Sequence, residues 1–249
     1  MNERVEFLER IRGALGRSEP LSAPTSEPPS ALGATDELAE RVRTVEALSD
    51  TNADGLMDAL AVSGKASGWN VARVTNVEEA GAYVLEVARD LEARSAVHSL
   101  HRVVREVVRD DLFSAAGIEL TPIAIERTGD VSVADESRAG LRDTMANADI
   151  GITGVDYAIA ETGTCVIVPT TGVSRLVSLL PPVHIALVER GQVVASLDEV
   201  FTMRRHDFLN GDLGSYMNLI TGPSRTADIE YKLVTGVHGP GEVHMVLIG

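Results

Sequence analysis

The segment DYAIAETGTCVIVP, residues 156–169, contains two short apolar runs that meet at one carboxylate. Residues 158–160 and 165–168 are rich in small and β-branched side chains, which predicts two buried or half-buried strands. Gly163 would join these strands in a tight turn, with Glu161 at their junction. The carboxylate of Glu161 could act as a nucleophile, as a general acid or base, or as a structural acid at a strand end.

Strand and helix patterns alternate on the amino-terminal side of this segment. Asn76 followed by Glu79 is typical of the N-cap of a helix, which would run to Leu91. The other predicted elements are strands at 69–74, 96–99 and 118–125 and helices at 103–116 and 135–147. This alternation predicts an α/β fold, a mostly parallel sheet with helices on both faces, whose ligands gather at the carboxyl ends of the strands.

Shorter elements fill the rest of the chain. The strands beside Glu161 follow each other without room for a helix, so we expect them to pair antiparallel. Beyond them the sequence predicts a helical turn at 173–180, strands at 184–188, 216–221 and 243–248, helices at 197–204 and 227–234, and a polar loop at 205–215.

Two regions differ in composition. Residues 1–35 hold an amphipathic helix at 3–15, followed by a linker rich in Pro and Ser. Residues 36–249 form the α/β domain, which begins with a helical region at 36–66 that breaks near residues 49–54. The helix at 3–15 could dock on a partner or pack on its own domain.

Composition excludes several classes of protein. The net charge is -15, from 37 acidic and 22 basic residues, so a nucleic-acid surface is not expected. No apolar run approaches the roughly 18 residues of a membrane span, and the charged amino terminus lacks the apolar part of a secretion signal, so we expect a cytoplasmic protein. The single cysteine, Cys165, predicts that this chain holds no metal site or cofactor of its own.

The carboxyl-terminal half offers candidate groups for binding an anion, either a small carboxylate or a phosphorylated ligand. Thr162 and Thr164 bring hydroxyls to the Glu161 turn, and Gly163 permits close approach of backbone or ligand. At 222–226 the sequence predicts the start of a helix, which would offer free backbone N–H groups to an anion. Ser224 and Thr226 are possible caps of this helix, and Gly222 and the Arg225 guanidinium complete the candidate group. The alternative is that these residues only cap the helix.

Two further groups could complete a site. Ser174 and Arg175 supply a second hydroxyl and a second guanidinium just after the hairpin, although Arg175 could simply face solvent. His238 lies among glycines in the loop 236–241 and could carry a proton or be an ordinary loop residue. His184, inside an apolar strand, is expected to be a hydrogen-bonded core side chain. The histidines show no metal-ligand spacing.

Four motifs, taken in order, resemble the LUD-domain family. They are AETGT at 160–164, SLLPPVHIA at 178–186, GPSRTADIE at 222–230 and GVHGP at 236–240. The resemblance implies a fold similar to the coenzyme A transferase, ribose-phosphate isomerase and glucosamine-phosphate deaminase superfamily. It also implies a role with two iron-sulfur partners, lactate utilization proteins A and B, in oxidising L-lactate to pyruvate.

Three hypotheses follow. The first is a subunit of an L-lactate-oxidising system that binds a small carboxylate near Glu161. Arg175 and Arg225 would bind the anion, and His238 would be a possible proton carrier. Iron-sulfur clusters would be present only in the partner proteins. The second is a free-standing enzyme similar to acyl or coenzyme A transferases or to sugar-phosphate isomerases, with Glu161 as nucleophile or base. The third is a non-catalytic assembly or regulatory protein.

Overall fold

The computed structural model describes residues 10–11, 13–14, 35–124, 131–169, 173–211, 216–227 and 233–249. The chain divides into two compact units, Met1–Glu37 and Leu38–Gly249. In the first unit the four described residues between 10 and 14 are helical, while the rest of the predicted helix at 3–15 and most of the linker lie outside the described residues. Within the described ranges, no helix is both long and apolar enough to cross a membrane.

The described elements are numbered in chain order. The helices are α1 (Thr35–Thr51), α2 (Ala53–Ser67), α3 (Val77–Asp90), α4 (Arg102–Val107), α5 (Asp110–Ala115), α6 (Val131–Asn147) and α7 (Leu197–Leu209), with short 3-10 helices at Arg175–Ser178 and Arg190–Gln192. The strands are β1 (Asn70–Val74), β2 (Ser95–His98), β3 (Glu119–Pro122), β4 (Ile150–Gly154), β5 (Tyr157–Ile159), β6 (Thr164–Ile167), β7 (Val183–Glu189), β8 (Val193–Val194), β9 (Asn218–Ile220), β10 (Arg225–Ala227), β11 (Leu233–Thr235) and β12 (Glu242–Ile248).

A six-stranded sheet forms the centre of the second unit, in the order β1-β12-β7-β4-β2-β3. All five neighbouring pairs are parallel. The predicted α/β class with a mostly parallel sheet is therefore confirmed. The central strands β4, β7 and β12 are almost wholly buried, as expected of parallel strands covered on both faces.

Different elements cover the two faces of this sheet. Ile185 and Leu187 of β7 pack against helices α3, α4 and α5. Their neighbours Ala186 and Val188 point to the other face, which is covered by α2, β5 and β6. The predicted helices are thus present on both faces, and a second sheet shares one face with them.

The second sheet has the order β8-β5-β6-β9. Strands β5 and β6 pair antiparallel, with Ala158 opposite Cys165, as the sequence predicts. Ala158 and Cys165 face the large sheet, whereas Ile159 and Val166 face Val200 of α7 on the outer side. The alternation along each strand therefore buries both faces of this small sheet.

Local signals account for several helix boundaries. The Asn76 side chain accepts a hydrogen bond of 2.9 Å from Glu79 N–H, which confirms the predicted N-cap of α3. At α7, Ser196 and Glu199 form a reciprocal capping box. Such caps satisfy N–H groups that have no partner inside the helix.

Three predicted elements are wrong in type or extent. The helix predicted at 103–116 is two helices, because Val108 and Arg109 adopt extended backbone between them. Helix α7 continues through most of the predicted loop at 205–215, since it ends at Leu209 and includes an Arg204–Asp207 ion pair one turn apart. The helix predicted at 227–234 is absent from its described residues, where β10 and β11 pair antiparallel instead.

Candidate functional site

The Glu161 turn packs against the carboxyl-terminal half of helix α2. Ser63 Oγ donates to the Ala160 carbonyl at 2.6 Å, and Ser67 Oγ donates to the Thr162 carbonyl at 2.9 Å. Trp69 Nε1 donates to the Gly163 carbonyl at 2.9 Å. The turn is therefore held by side chains of α2 and of the residue just before β1.

Gly163 is required by this packing. Its φ is +68°, a left-handed conformation that other residues rarely adopt. A Cβ placed on Gly163 would lie 2.5 Å from the Gly64 nitrogen and 2.6 Å from the Ser63 carbonyl carbon. The close approach predicted at Gly163 is thus to the backbone of α2.

Glu161 contacts the first turn of helix α7. Its Oε1 accepts a hydrogen bond of 2.9 Å from Leu197 N–H, and its own N–H donates to the Ala195 carbonyl at 3.1 Å. A carboxylate at a helix N-terminus satisfies a free N–H and is stabilised by the helix dipole. These contacts correspond to the structural alternative for Glu161, at an exposed position.

Three threonine hydroxyls form a chain beside the turn. Thr164 Oγ1 lies 2.7 Å from Thr162 Oγ1 and 2.7 Å from Thr221 Oγ1. Arg225 Nη2 donates to the Ser67 carbonyl at 2.9 Å, at the carboxyl end of α2. The structure therefore brings Thr162, Gly163, Thr164 and Arg225 together around the end of this helix. Gly222 joins them, because a Cβ added at Gly222 would lie 2.1 Å from the same Ser67 carbonyl oxygen.

The other predicted site residues are held by different elements. Ser174 Oγ accepts from Leu176 N–H at 3.3 Å, and the Arg175 guanidinium stacks 4.6 Å from the centre of the Tyr216 ring. Ser224 Oγ accepts from the backbone N–H of His238 at 3.3 Å, and the His238 residue is exposed. These contacts do not link Arg175 and Tyr216 to Ser224 and His238.

The anion-binding site expected at 222–226 lacks the helix start on which the expectation was based. Thr226 pairs with Val234 in the β10–β11 ribbon, so no helix begins there to offer free N–H groups. Ser224 N–H already donates to the Pro240 carbonyl at 2.9 Å. Any anion contact at this place would depend on side chains, chiefly Arg225.

A second cluster, which the sequence reasoning missed, lies at the carboxyl ends of β2 and β4. Ser99 Oγ lies 2.7 Å from His101 Nδ1, and His101 Nε2 lies 3.8 Å from Asp156 Oδ2. The carboxylate also accepts a hydrogen bond of 2.6 Å from Val168 N–H. We call Ser99, His101 and Asp156 the switch-point cluster.

The position of this cluster follows from the topology. After β2 the chain passes to α4 on one face, and after the neighbouring β4 it passes to β5 on the other face. Adjacent parallel strands whose connections leave on opposite faces create the crevice where α/β proteins bind ligands. His101 and Asp156 come from the two sides of this crevice.

The chemistry available to the cluster is proton transfer. His101 Nε2 is buried and has no hydrogen-bond partner among the described residues, while the ring nitrogen Nδ1 contacts Ser99 Oγ. A histidine with one free nitrogen near a carboxylate can take up and release a proton. Ser99 is fully buried, and the hydrogen bond between its hydroxyl and His101 Nδ1 orients the imidazole ring.

A cavity of about 650 Å³ adjoins β2 and β3 on the side of helices α4 and α5. His98 and Pro122, the last residues of the two strands, line it together with Arg105. We call it the β3 cavity. None of the site residues predicted from sequence is among the described residues that line it.

His184 is a core residue, as the sequence predicts. It is fully buried, and its Nε2 lies 2.8 Å from Thr153 Oγ1. Burial, with a smaller effect of nearby His244, lowers the pKa of His184 to about 3. Across the described ranges, no group of three or more His, Cys, Asp or Glu side chains is placed to hold a metal ion.

Comparison with known proteins identifies the family. The LUD domain matches residues 59–248. A Lactate utilization protein C from Halalkalibacterium halodurans is 46% identical over 101 residues, which is 40% of this chain and 44% of that protein. Another, from Bacillus subtilis strain 168, is 40% identical over 102 residues, 41% of this chain and 42% of that protein.

The chain thus matches less than half the length of each of these two curated relatives. A crystal structure of a DUF162 family protein from Deinococcus radiodurans has a TM-score of 0.47 and 17% identity, over 87% of this chain and 99% of that one. The family match covers most of the sequence, from α2 to the end of β12. On this match, the chain belongs to the LUD domain family.

Proposed function

We propose that this chain is a subunit of an iron-sulfur-dependent L-lactate utilization system, in which L-lactate is oxidised to pyruvate. The observation that carries the proposal is the 46% identity over 101 residues to a relative named Lactate utilization protein C, within a chain of the LUD domain family. The role proposed for this subunit is to bind a small carboxylate, while electron transfer takes place in its partners.

The cysteine content supports placing the iron-sulfur clusters in partner subunits. Cys165 is the only cysteine of the sequence, and it is fully buried between the two sheets. Burial raises the pKa of its thiol, which disfavours the thiolate that binds iron. The residues present therefore do not fit a cluster, and we assign the clusters to partners equivalent to lactate utilization proteins A and B.

The carboxylate site in this proposal adjoins the Glu161 turn. Arg225 uses one N–H group on the Ser67 carbonyl, and its other donors can bind an anion beside the Thr162 and Thr164 hydroxyls. Arg175 and the proton carrier His238 would contribute only by moving from their present contacts. The bond from Leu197 supports a structural role for Glu161, which orders the turn without reacting.

Reconstitution tests the proposal. The full chain is combined with the two iron-sulfur partners, and L-lactate-dependent reduction of an artificial electron acceptor is measured with and without it. We expect omission of the chain to lower turnover by at least about tenfold. Unchanged turnover would show that the chain is not a functional subunit.

Glu161→Gln separates the structural from the reactive role. Glutamine keeps the oxygen that accepts from Leu197 N–H, so turnover of the reconstituted system should stay within about twofold of the unsubstituted protein. A loss of about a hundredfold or more would instead identify Glu161 as a reacting carboxylate.

A further inference from the structure

We propose that the β3 cavity binds a short carboxylic acid that carries a hydroxyl or amino group. Its volume of about 650 Å³ is within the range of small-molecule pockets, roughly 300 to 1,000 Å³. Its lining includes His98 and Pro122, which lie at the carboxyl ends of β2 and β3, where ligands of parallel sheets bind. The inference goes beyond the proposed function, because it concerns a second site, separate from the carboxylate site beside the Glu161 turn.

Arg105 supplies the positive charge of the cavity. It lies in the last turn of α4, and among the described residues no ion pair or side-chain hydrogen bond engages its guanidinium. The nearby Arg102 and Arg109 are different, because they are engaged by Glu106 and Asp111 respectively. The described part of the chain therefore leaves the Arg105 donors available, and their fork geometry matches a carboxylate.

His98 supplies an acceptor beside this charge. Its Nδ1 lies 3.1 Å from the Ser99 carbonyl oxygen, and because a carbonyl only accepts, Nδ1 must donate. The neutral ring then carries its lone pair on Nε2, for which the described part of the chain provides no hydrogen-bond partner. The side chain is more than nine-tenths buried and lines the cavity, so Nε2 is available to a ligand hydroxyl or ammonium.

The other polar residues of the cavity wall indicate which charged and hydrogen-bonding groups the ligand carries. Asp110, Glu119 and Ser114 add two carboxylates and one hydroxyl to the cavity wall. A bare polyanion such as phosphate would meet both carboxylates and be repelled. A ligand with a single carboxylate for Arg105 and with donor groups for His98 and the acids complements the whole set.

Apolar residues form the other walls. Leu100, Val108 and Leu120 line the cavity beside the polar groups. These side chains favour a hydrocarbon skeleton over a fully hydrated ion. The volume exceeds that of a three-carbon acid, so a longer chain can also be accommodated.

Four three-carbon probes test this chemistry one group at a time. L-lactate has a carboxylate and a hydroxyl, L-alanine a carboxylate and an ammonium, propionate only a carboxylate, and L-lactamide no charge. Each is titrated into the ¹⁵N-labelled full chain, and amide and imidazole shifts are followed by NMR. We expect millimolar binding of L-lactate and L-alanine, binding of propionate weaker by about tenfold, and no binding of L-lactamide.

Matched arginine variants locate the site. Arg105→Gln should weaken L-lactate binding by about tenfold or more, and Arg109→Gln, at a neighbouring arginine outside the cavity, should leave it unchanged. His98→Gln should remove the preference for L-lactate over propionate. Because Arg105 is exposed, its substitution should leave the fold intact.

Several outcomes would overturn the assignment. One is the absence of shifts with all four probes, and another is equal weakening by Arg105→Gln and Arg109→Gln. A third is binding that Arg225→Gln abolishes and Arg105→Gln leaves intact, which would place the ligand at the Glu161 turn. Failure of reconstituted lactate oxidation would refute the proposed function without affecting these binding results.

Discussion

Substitution of Gly163 by alanine tests whether the Glu161 turn is packed on helix α2 as described. Gly163 has a φ of +68°, and an added Cβ would lie 2.5 Å from the Gly64 nitrogen. Gly117 offers a matched control, because its φ is +78° and an added Cβ would meet nothing within 4 Å. Both variants incur backbone strain, and only Gly163→Ala adds a clash with helix backbone.

The two costs can be estimated separately. A left-handed conformation costs a non-glycine residue about 1–2 kcal/mol, which is the whole expected loss for Gly117→Ala. Forcing an extra carbon into a packed contact adds about 1–3 kcal/mol, so Gly163→Ala should lose about 2–5 kcal/mol. For a chain of this size each kcal/mol lowers the melting temperature by about 2–4 °C.

Equilibrium unfolding in urea measures this difference directly. Trp69 is the only tryptophan, is 3% exposed and donates to the Gly163 carbonyl, so its fluorescence reports on the same contact. We expect Gly163→Ala to shift the native emission to longer wavelength and to unfold at lower urea than Gly117→Ala. Equal destabilisation of the two variants, with unchanged emission, would refute the packing of the turn on α2.

Three further outcomes follow, two from buried side chains and one from a helix cap. The pKa of His184 is about 3 in the folded chain and near 6.5 when unfolded, so stability is full above pH 6.5 and falls as pH drops toward 3. For this one proton, the free energy of unfolding should fall by up to about 1.4 kcal/mol per pH unit. This dependence should disappear in His184→Gln and persist in the control His206→Gln. Identical pH profiles of the two variants would contradict the expectation. Cys165 should resist a thiol reagent until the chain unfolds, because burial raises its pKa; rapid native labelling would show that the core opens. Ser196→Ala should cost about 1 kcal/mol in urea unfolding through loss of the α7 capping box, and no change would mean that Glu161 caps the helix sufficiently alone.

The fold class could be predicted because its signals are local. Asn76 and Glu79 mark the start of α3 by chemistry that operates within one helical turn. The two strands around Gly163 were recognisable from β-branched composition and from the short connection between them. Alternation of such elements then restricts the sheet to a mostly parallel arrangement.

The helix expected at 227–234 shows where local signals mislead. Charged and apolar residues there imitate the spacing of an amphipathic helix, but Thr226 and Val234 are β-branched and pair across a ribbon. Gly222 and Gly236, both with positive φ, bound this ribbon. Because the anion-binding site at 222–226 was inferred from the helix start, the error in secondary structure passed directly into the expected site.

The switch-point cluster had only a partial signal in the sequence. His101 follows a predicted strand, where ligands of parallel sheets gather, and this could have singled it out. Asp156 is 55 positions further along and meets His101 only because β4 inserts beside β2. Pairing of this kind depends on strand order, which composition and periodicity do not encode.

The same topology links the chemistry of the switch-point cluster to the assembly of the whole sheet. His101 leads into a helix on one face, and Asp156 leads into the small sheet on the other. The pair therefore exists only when both outer layers are docked on the central strands. A partly folded chain that lacks either layer has the same residues but no acid-base pair, so the environment of the His101 ring measures completion of the native structure.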